Sequence, residues 1–78
     1  MSIMNIDLSK AYKVDNTVEI RIDPASLEGV KLTQLYQSGE RAKMSNPDFP
    51  GEYVVCDSFS EAYPEKVVSC FVLRLVGA

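Results

Sequence analysis

The 78-residue chain contains no histidine and no tryptophan, and only two cysteines, Cys56 and Cys70. Without histidine it lacks the usual general base of nucleophilic catalysis and the commonest zinc ligand. Two thiols fall short of the four N/S ligands that a structural zinc site needs. There is no Gly-rich phosphate loop, no H-E-x-x-H and no G-x-S-x-G. These absences predict a protein that is not an enzyme and that carries no cofactor and no metal. No apolar run approaches the roughly 20 residues that span a bilayer. The opening MSIMNIDLSK has neither the basic segment nor the apolar stretch of a signal peptide. The expectation is a cytoplasmic protein with reduced thiols and no membrane contact. A strong basic excess is missing too. Eleven acids against eight Lys and Arg leave a net charge of −3, which disfavours direct nucleic-acid binding.

What is present fits one small globular domain, residues 1–78. Hydrophobic residues make up 46% and charged residues 24%, enough apolar material for a single small core. Met4, Ile6 and Leu8 alternate with polar neighbours, and Val18, Ile20 and Ile22 alternate with Thr17, Glu19, Arg21 and Asp23. Both follow the two-residue period of a half-buried strand. Asp15-Asn16 between them suits a tight turn, so the pattern predicts a hairpin over residues 3–23. DPASLEG reads as a short helical turn, capped by Asp23, entered at Pro24 and ended by Gly29. Residues 30–38 fit either period, helix being favoured over about 31–38 with Gly39 as its cap. SNPDFPG is a loop, EYVVCD a short strand, and SFSEAYPE a helical turn with Ser58 and Glu61 at capping-box spacing. The fold expected is α+β: an antiparallel sheet of three to four strands with one or two short helices.

The last predicted strand, KVVSCFVLRLV, is apolar on both faces. Val67, Phe71, Leu73 and Leu75 share one with Ser69, and Val68, Cys70, Val72 and Val76 share the other with Arg74. Such a strand belongs in the middle of a sheet. Its second face is either covered by another layer or left for a partner or a second copy. Cys56 and Cys70 lie on strands expected to pair. A disulfide, a metal half-site and a nucleophile are the chemical readings. Two small buried apolar side chains are the simpler one, and it is preferred.

Residues 44–65 hold five acids, Asp48, Glu52, Asp57, Glu61 and Glu65, and no base, while the remainder has eight bases and six acids. Phe49, Tyr53, Phe59 and Tyr63 fall in the same window, each one or two positions after an acid. Either the aromatics are core and the acids keep loops soluble, or the stretch is a contact surface for a basic partner. The candidate partner-binding residues are Asp48, Glu52, Asp57, Phe59, Glu61, Tyr63 and Glu65. Glu61 and Glu65 at helical spacing also read as a solvated face rather than an acid–base pair.

In length, acidity, compact α+β pattern and lack of catalytic motifs, the chain resembles the small anti-CRISPR proteins encoded by phages. The resemblance implies a non-catalytic inhibitor in the cytoplasm of a bacterial host. It would block the basic nucleic-acid-binding groove of a host protein or ribonucleoprotein, a CRISPR effector complex, as a monomer or weak homodimer. Two other readings stand beside it. One is a self-associating structural or adaptor subunit using the second face of residues 66–76 or an open sheet edge. The other is a minor nucleic-acid-binding protein using Arg21, Lys31, Arg41 and Lys43.

Overall fold

A computed structural model describes residues 4–6 and 11–77 of the chain. Six strands, β1 (Met4–Ile6), β2 (Tyr12–Val14), β3 (Thr17–Ile22), β4 (Arg41–Met44), β5 (Glu52–Ala62) and β6 (Val67–Gly77), surround one helix, α1 (Leu27–Ser38). Of the described residues, 54% are strand and 17% helix, so the sheet dominates. Its order is β1-β4-β5-β6-β3-β2. β1 runs parallel to β4, and every other pairing is antiparallel. The expected α+β sheet of three to four antiparallel strands is therefore corrected to six strands in a mixed, curled sheet with one helix.

Three local expectations gave way to tertiary pairing. β1 does not fold back on β3. It lies at the opposite edge beside β4, with Ile6 level with Met44. The predicted hairpin over residues 3–23 shrinks to β2–β3, whose turn is Asp15-Asn16 as expected, with Asp15 at φ 53, a left-handed conformation that aspartate tolerates. Leu8, part of the predicted first strand, lies outside the described residues. The RAKM segment of β4 has little strand character of its own and is held by neighbours on both sides. SFSEA forms no helical turn. It continues β5 to Ala62, because β6 offers it a full ladder, Asp57 opposite Val72 through to Ala62 opposite Val67.

The helix starts at Leu27, earlier than the expected 31 because it takes in the end of the segment read as a separate turn, and it ends where expected. The Asp23 carboxylate accepts from the Ala25 N–H at 2.9 Å, and Ser26 is the N-cap, its Oγ accepting from the Gly29 N–H at 3.1 Å. Gly29 thus sits inside the first turn instead of stopping it. A Cβ there would lie 2.4 Å from the Asp23 carbonyl oxygen, so only glycine lets the incoming chain pass this close. Gly39, at φ 73, caps the other end by donating its N–H to the Leu35 carbonyl, a left-handed position that favours glycine.

One face of the sheet packs against α1. Leu32 and Leu35 form a single cluster with Ile6, Val18, Ile20, Ala42, Phe49, Tyr53, Val55, Phe71 and Leu73. Each large apolar side chain so buried contributes about 1.5–3 kcal/mol before chain entropy opposes it. β6 lies between β5 and β3, the central position its doubly apolar pattern predicts.

Candidate functional site

β5 changes its relation to the core partway along. The register with β6 shifts between Val55 and Asp57, where Cys56 forms a β-bulge. A single extra residue exchanges the two faces of everything beyond it. Tyr53 and Val55, before the bulge, are buried beneath α1. After it the even positions Ser58, Ser60 and Ala62 take that side, and Asp57, Phe59 and Glu61 turn to the opposite face. The four aromatics of the acidic window divide accordingly. Phe49 and Tyr53 are core, while Phe59 is 46% and Tyr63 49% exposed.

The face opposite α1 has no helix of the described residues packed on it. Across it Arg74 faces Val54 and Thr17, Val72 faces Asp57 and Glu19, and Cys70 faces Phe59 and Arg21. The second face of β6 is therefore the open one. Its valines are half-buried or exposed, and Cys70 alone is buried.

Cys70 belongs to a polar knot. The Glu61 carboxylate accepts at Oε1 from Arg21 Nε at 3.0 Å and from the Cys70 thiol at 2.8 Å, and at Oε2 from the Tyr63 hydroxyl at 3.2 Å. The thiol and the guanidinium hold the Glu61 carboxyl below the usual carboxylate range. Burial, then the bond to Glu61, pushes the Cys70 thiol up. A thiol so placed stays protonated at neutral pH and is a poor nucleophile. Cys56 is exposed, against the expectation that both cysteines are buried; its thiol donates to the Val72 carbonyl at 3.3 Å. Both are free. Among the described residues, no three Cys, Asp or Glu side chains gather in a way that holds a metal ion.

The predicted partner-binding residues do not form one patch. Asp48 sits exposed in the 45–51 loop and Glu52 at the start of β5. Glu61, Tyr63 and Glu65 lie at the far end, nine or more residues along an extended strand and on the order of 30 Å away. Two of the five acids are also neutralised in space. Glu52 pairs with Arg41 at 3.1 Å and Glu61 with Arg21 at 3.0 Å. The window without a base acquires its bases from β3 and β4. Asp57 and Glu65 remain exposed and outside these ion pairs, next to Phe59 and Tyr63. Sequence reasoning missed Arg21 and Cys70 as members of this region, because nothing local ties them to Glu61. The doubly apolar pattern of residues 66–76 was the signal that the face existed.

Beyond Tyr63 the cleft between the ends of β3 and β6, about 570 Å³, is lined by Arg21, Asp23, Tyr63, Lys66 and Val68 among others. It is open to solvent, and its charges are of both signs. Among the described residues, no helix is long and apolar enough to cross a membrane. Compared with protein-family models, curated proteins and solved structures, the chain matches none.

Proposed function

We propose that this chain is a non-catalytic protein-binding module whose contact surface is the open sheet face beyond the bulge, anchored by Phe59 and Tyr63 and flanked by Asp57 and Glu65. The observation that carries this reading is the exposure of two aromatics on ordered strand and turn beside acids outside the ion pairs. Aromatic anchors with a charged rim are the usual make-up of an interface centre, and exposed aromatics gathered on one face favour contact with a partner. The narrower form of the proposal is an anti-CRISPR-like inhibitor that occupies a basic nucleic-acid-binding surface of a host effector complex. Its acidic element is smaller than the sequence window suggests, since Glu52 and Glu61 already serve Arg41 and Arg21.

The test is retention of a cellular partner by the tagged protein. A Phe59→Ala/Tyr63→Ala chain should lose the partner, and a control altered on the helix, Leu27→Ala/Tyr36→Ala, should keep it. Under the narrower form, DNA or RNA competes the partner off and salt weakens the complex. Loss in the helix variant with retention in the Phe59/Tyr63 variant would overturn the proposal. Retention by both with no effect of nucleic acid would do so equally.

A further inference from the structure

We infer that the outer edge of β5 beyond the bulge receives an extended strand of the partner protein, one carrying Lys or Arg two positions from an apolar residue. This rests on the protein-binding reading above and gives it a mode. β5 is eleven residues long, but β4 pairs only with its first three, Glu52, Tyr53 and Val54. From Asp57 to Ala62 the strand has β6 on one side and no strand of the described residues on the other.

The direction of each backbone group follows from the ladder. Tyr63 donates its N–H to the Lys66 carbonyl at 2.8 Å, and hydrogen-bonded pairs recur every second residue in an antiparallel ladder. Glu61, Phe59 and Asp57 therefore bond β6. Ser58, Ser60 and Ala62 point their N–H and C=O groups outward. Ser58 agrees with this parity: its N–H is taken by the Asp57 carboxylate at 2.8 Å. Ser60 and Ala62 are exposed, and their outward groups can bond a docked strand in the manner of β-augmentation. The two terminal strands of the sheet, β1 and β2, are three residues each, so this is the longest open edge among the described residues.

The side chains select the occupant. On the α1 side Ser58, Ser60 and Ala62 are small and leave room for a neighbour. On the open side a docked strand meets Asp57, then Phe59. Residues 57–65 contain three acids and no base, so a second copy brings two acidic segments of like charge to one edge, which opposes pairing. A strand with an apolar residue beside Phe59 and a cation two positions away satisfies both. Docking frees the Ser58 N–H for a partner carbonyl and passes the Asp57 carboxylate to the partner cation, so Asp57 guards the empty edge and becomes a contact of the filled one.

The experiment is an NMR titration of the isotope-labelled chain with the capped peptide Thr-Lys-Thr-Val-Thr-Lys-Thr, which presents its cations symmetrically in either strand direction. Binding at millimolar peptide, with slowed amide exchange at Ser58, Ser60 and Ala62 and no effect from the same peptide with Glu for Lys, is expected. Ser60→Pro removes an outward donor that the β5–β6 ladder does not use, and should weaken peptide binding by about tenfold or more. The wild-type exchange result stands whether or not that variant folds. Shifts lying elsewhere, or no binding, would overturn the inference. So would sedimentation of the wild-type chain as a dimer that Ser60→Pro dissolves, since the edge would then belong to a second copy. If the Phe59/Tyr63 variant loses its cellular partner while Ser60→Pro keeps it, strand addition fails and protein binding through the aromatics stands. If the peptide docks at β5 while the cellular partner is indifferent to Phe59 and Tyr63, strand addition stands and the aromatic contact surface fails.

Discussion

Phe71 and Phe59 belong to adjacent strands and have opposite fates. Phe71 is 1% exposed against α1, and Phe59 is 46% exposed on the other face. Similar aromatic content reaches both faces of the sheet, but only one meets a helix. The covered face is mostly apolar, with Ser58, Ser60 and Ser69 beyond the bulge. The open face alternates valines with Arg74, Glu19, Arg21 and Asp57, so its charges are mixed and partly paired. One extra residue at Cys56 assigns Phe59 to the second group. The comparison shows that a core-like residue can be turned to the open face by a change of parity, with no change of composition.

The sharpest way to break that contrast is truncation on each face. Phe71→Ala should cost about 3–5 kcal/mol, enough to unfold much of a domain this small, as measured by urea denaturation. Equal losses from Phe71→Ala and Phe59→Ala would show that the open face is also core. Next in size is the cysteine pair. Cys70→Ala should cost about 1–2 kcal/mol through lost packing, and Cys56→Ala no more than about 0.5 kcal/mol. Titration of the native protein with a thiol reagent should label Cys56 alone, with Cys70 reacting only in denaturant; rapid labelling of both would remove the distinction.

A smaller effect is expected in the pH dependence. Glu61 has its carboxyl lowered, chiefly by the Cys70 thiol and then by Arg21. Its contribution is present above the ordinary carboxylate range and is lost as pH falls through the depressed value. Glu61→Gln should therefore flatten the acid limb of the stability profile and, because the Glu61 charge also raises the Cys70 thiol, soften the alkaline limb as well. An unchanged acid limb would mean that the knot around Cys70 has no energetic weight. At the alkaline end the order reverses. Burial and Glu61 raise the Cys70 thiol, so stability holds below the ordinary thiol range and falls as pH rises through the raised value. Cys70→Ala should abolish that loss. Phe59→Ala should also cost little, below about 1 kcal/mol by the same denaturation measurement, because its ring is half in solvent.

Legibility in the sequence followed the range of the forces involved. The turn at Asp15-Asn16, the Gly39 cap, the 45–51 loop and the central place of β6 depend on neighbours a few residues away or on plain alternation, and all were readable. The division of residues 67–76 into two faces was readable too. β4 was not, because a four-residue strand with charged flanks exists only through pairing with β1 and β5. The continuation of β5 through SFSEA was obscured by Ser58 and Glu61 at capping-box spacing. In the folded chain Glu61 reaches instead to Arg21 and Cys70, forty and nine residues away. The candidate site was half legible. Its exposed aromatics and acids were named, but a stretch of charge along the chain is not a patch in space.

By itself, the sequence determined a small apolar core without histidine, a central strand apolar on both sides, and an acidic, aromatic stretch leading into it. Periodicity and composition suffice for these because they are properties of single segments. Only the tertiary structure decided that β1 crosses to the far edge, that Arg21 and Arg41 neutralise acids of another strand, and that the bulge at Cys56 turns Phe59 outward. Each of these is a question of which strand lies beside which and in what register. Backbone pairing is chemically uniform along a chain, so that choice is made by the packing of the whole sheet against one helix.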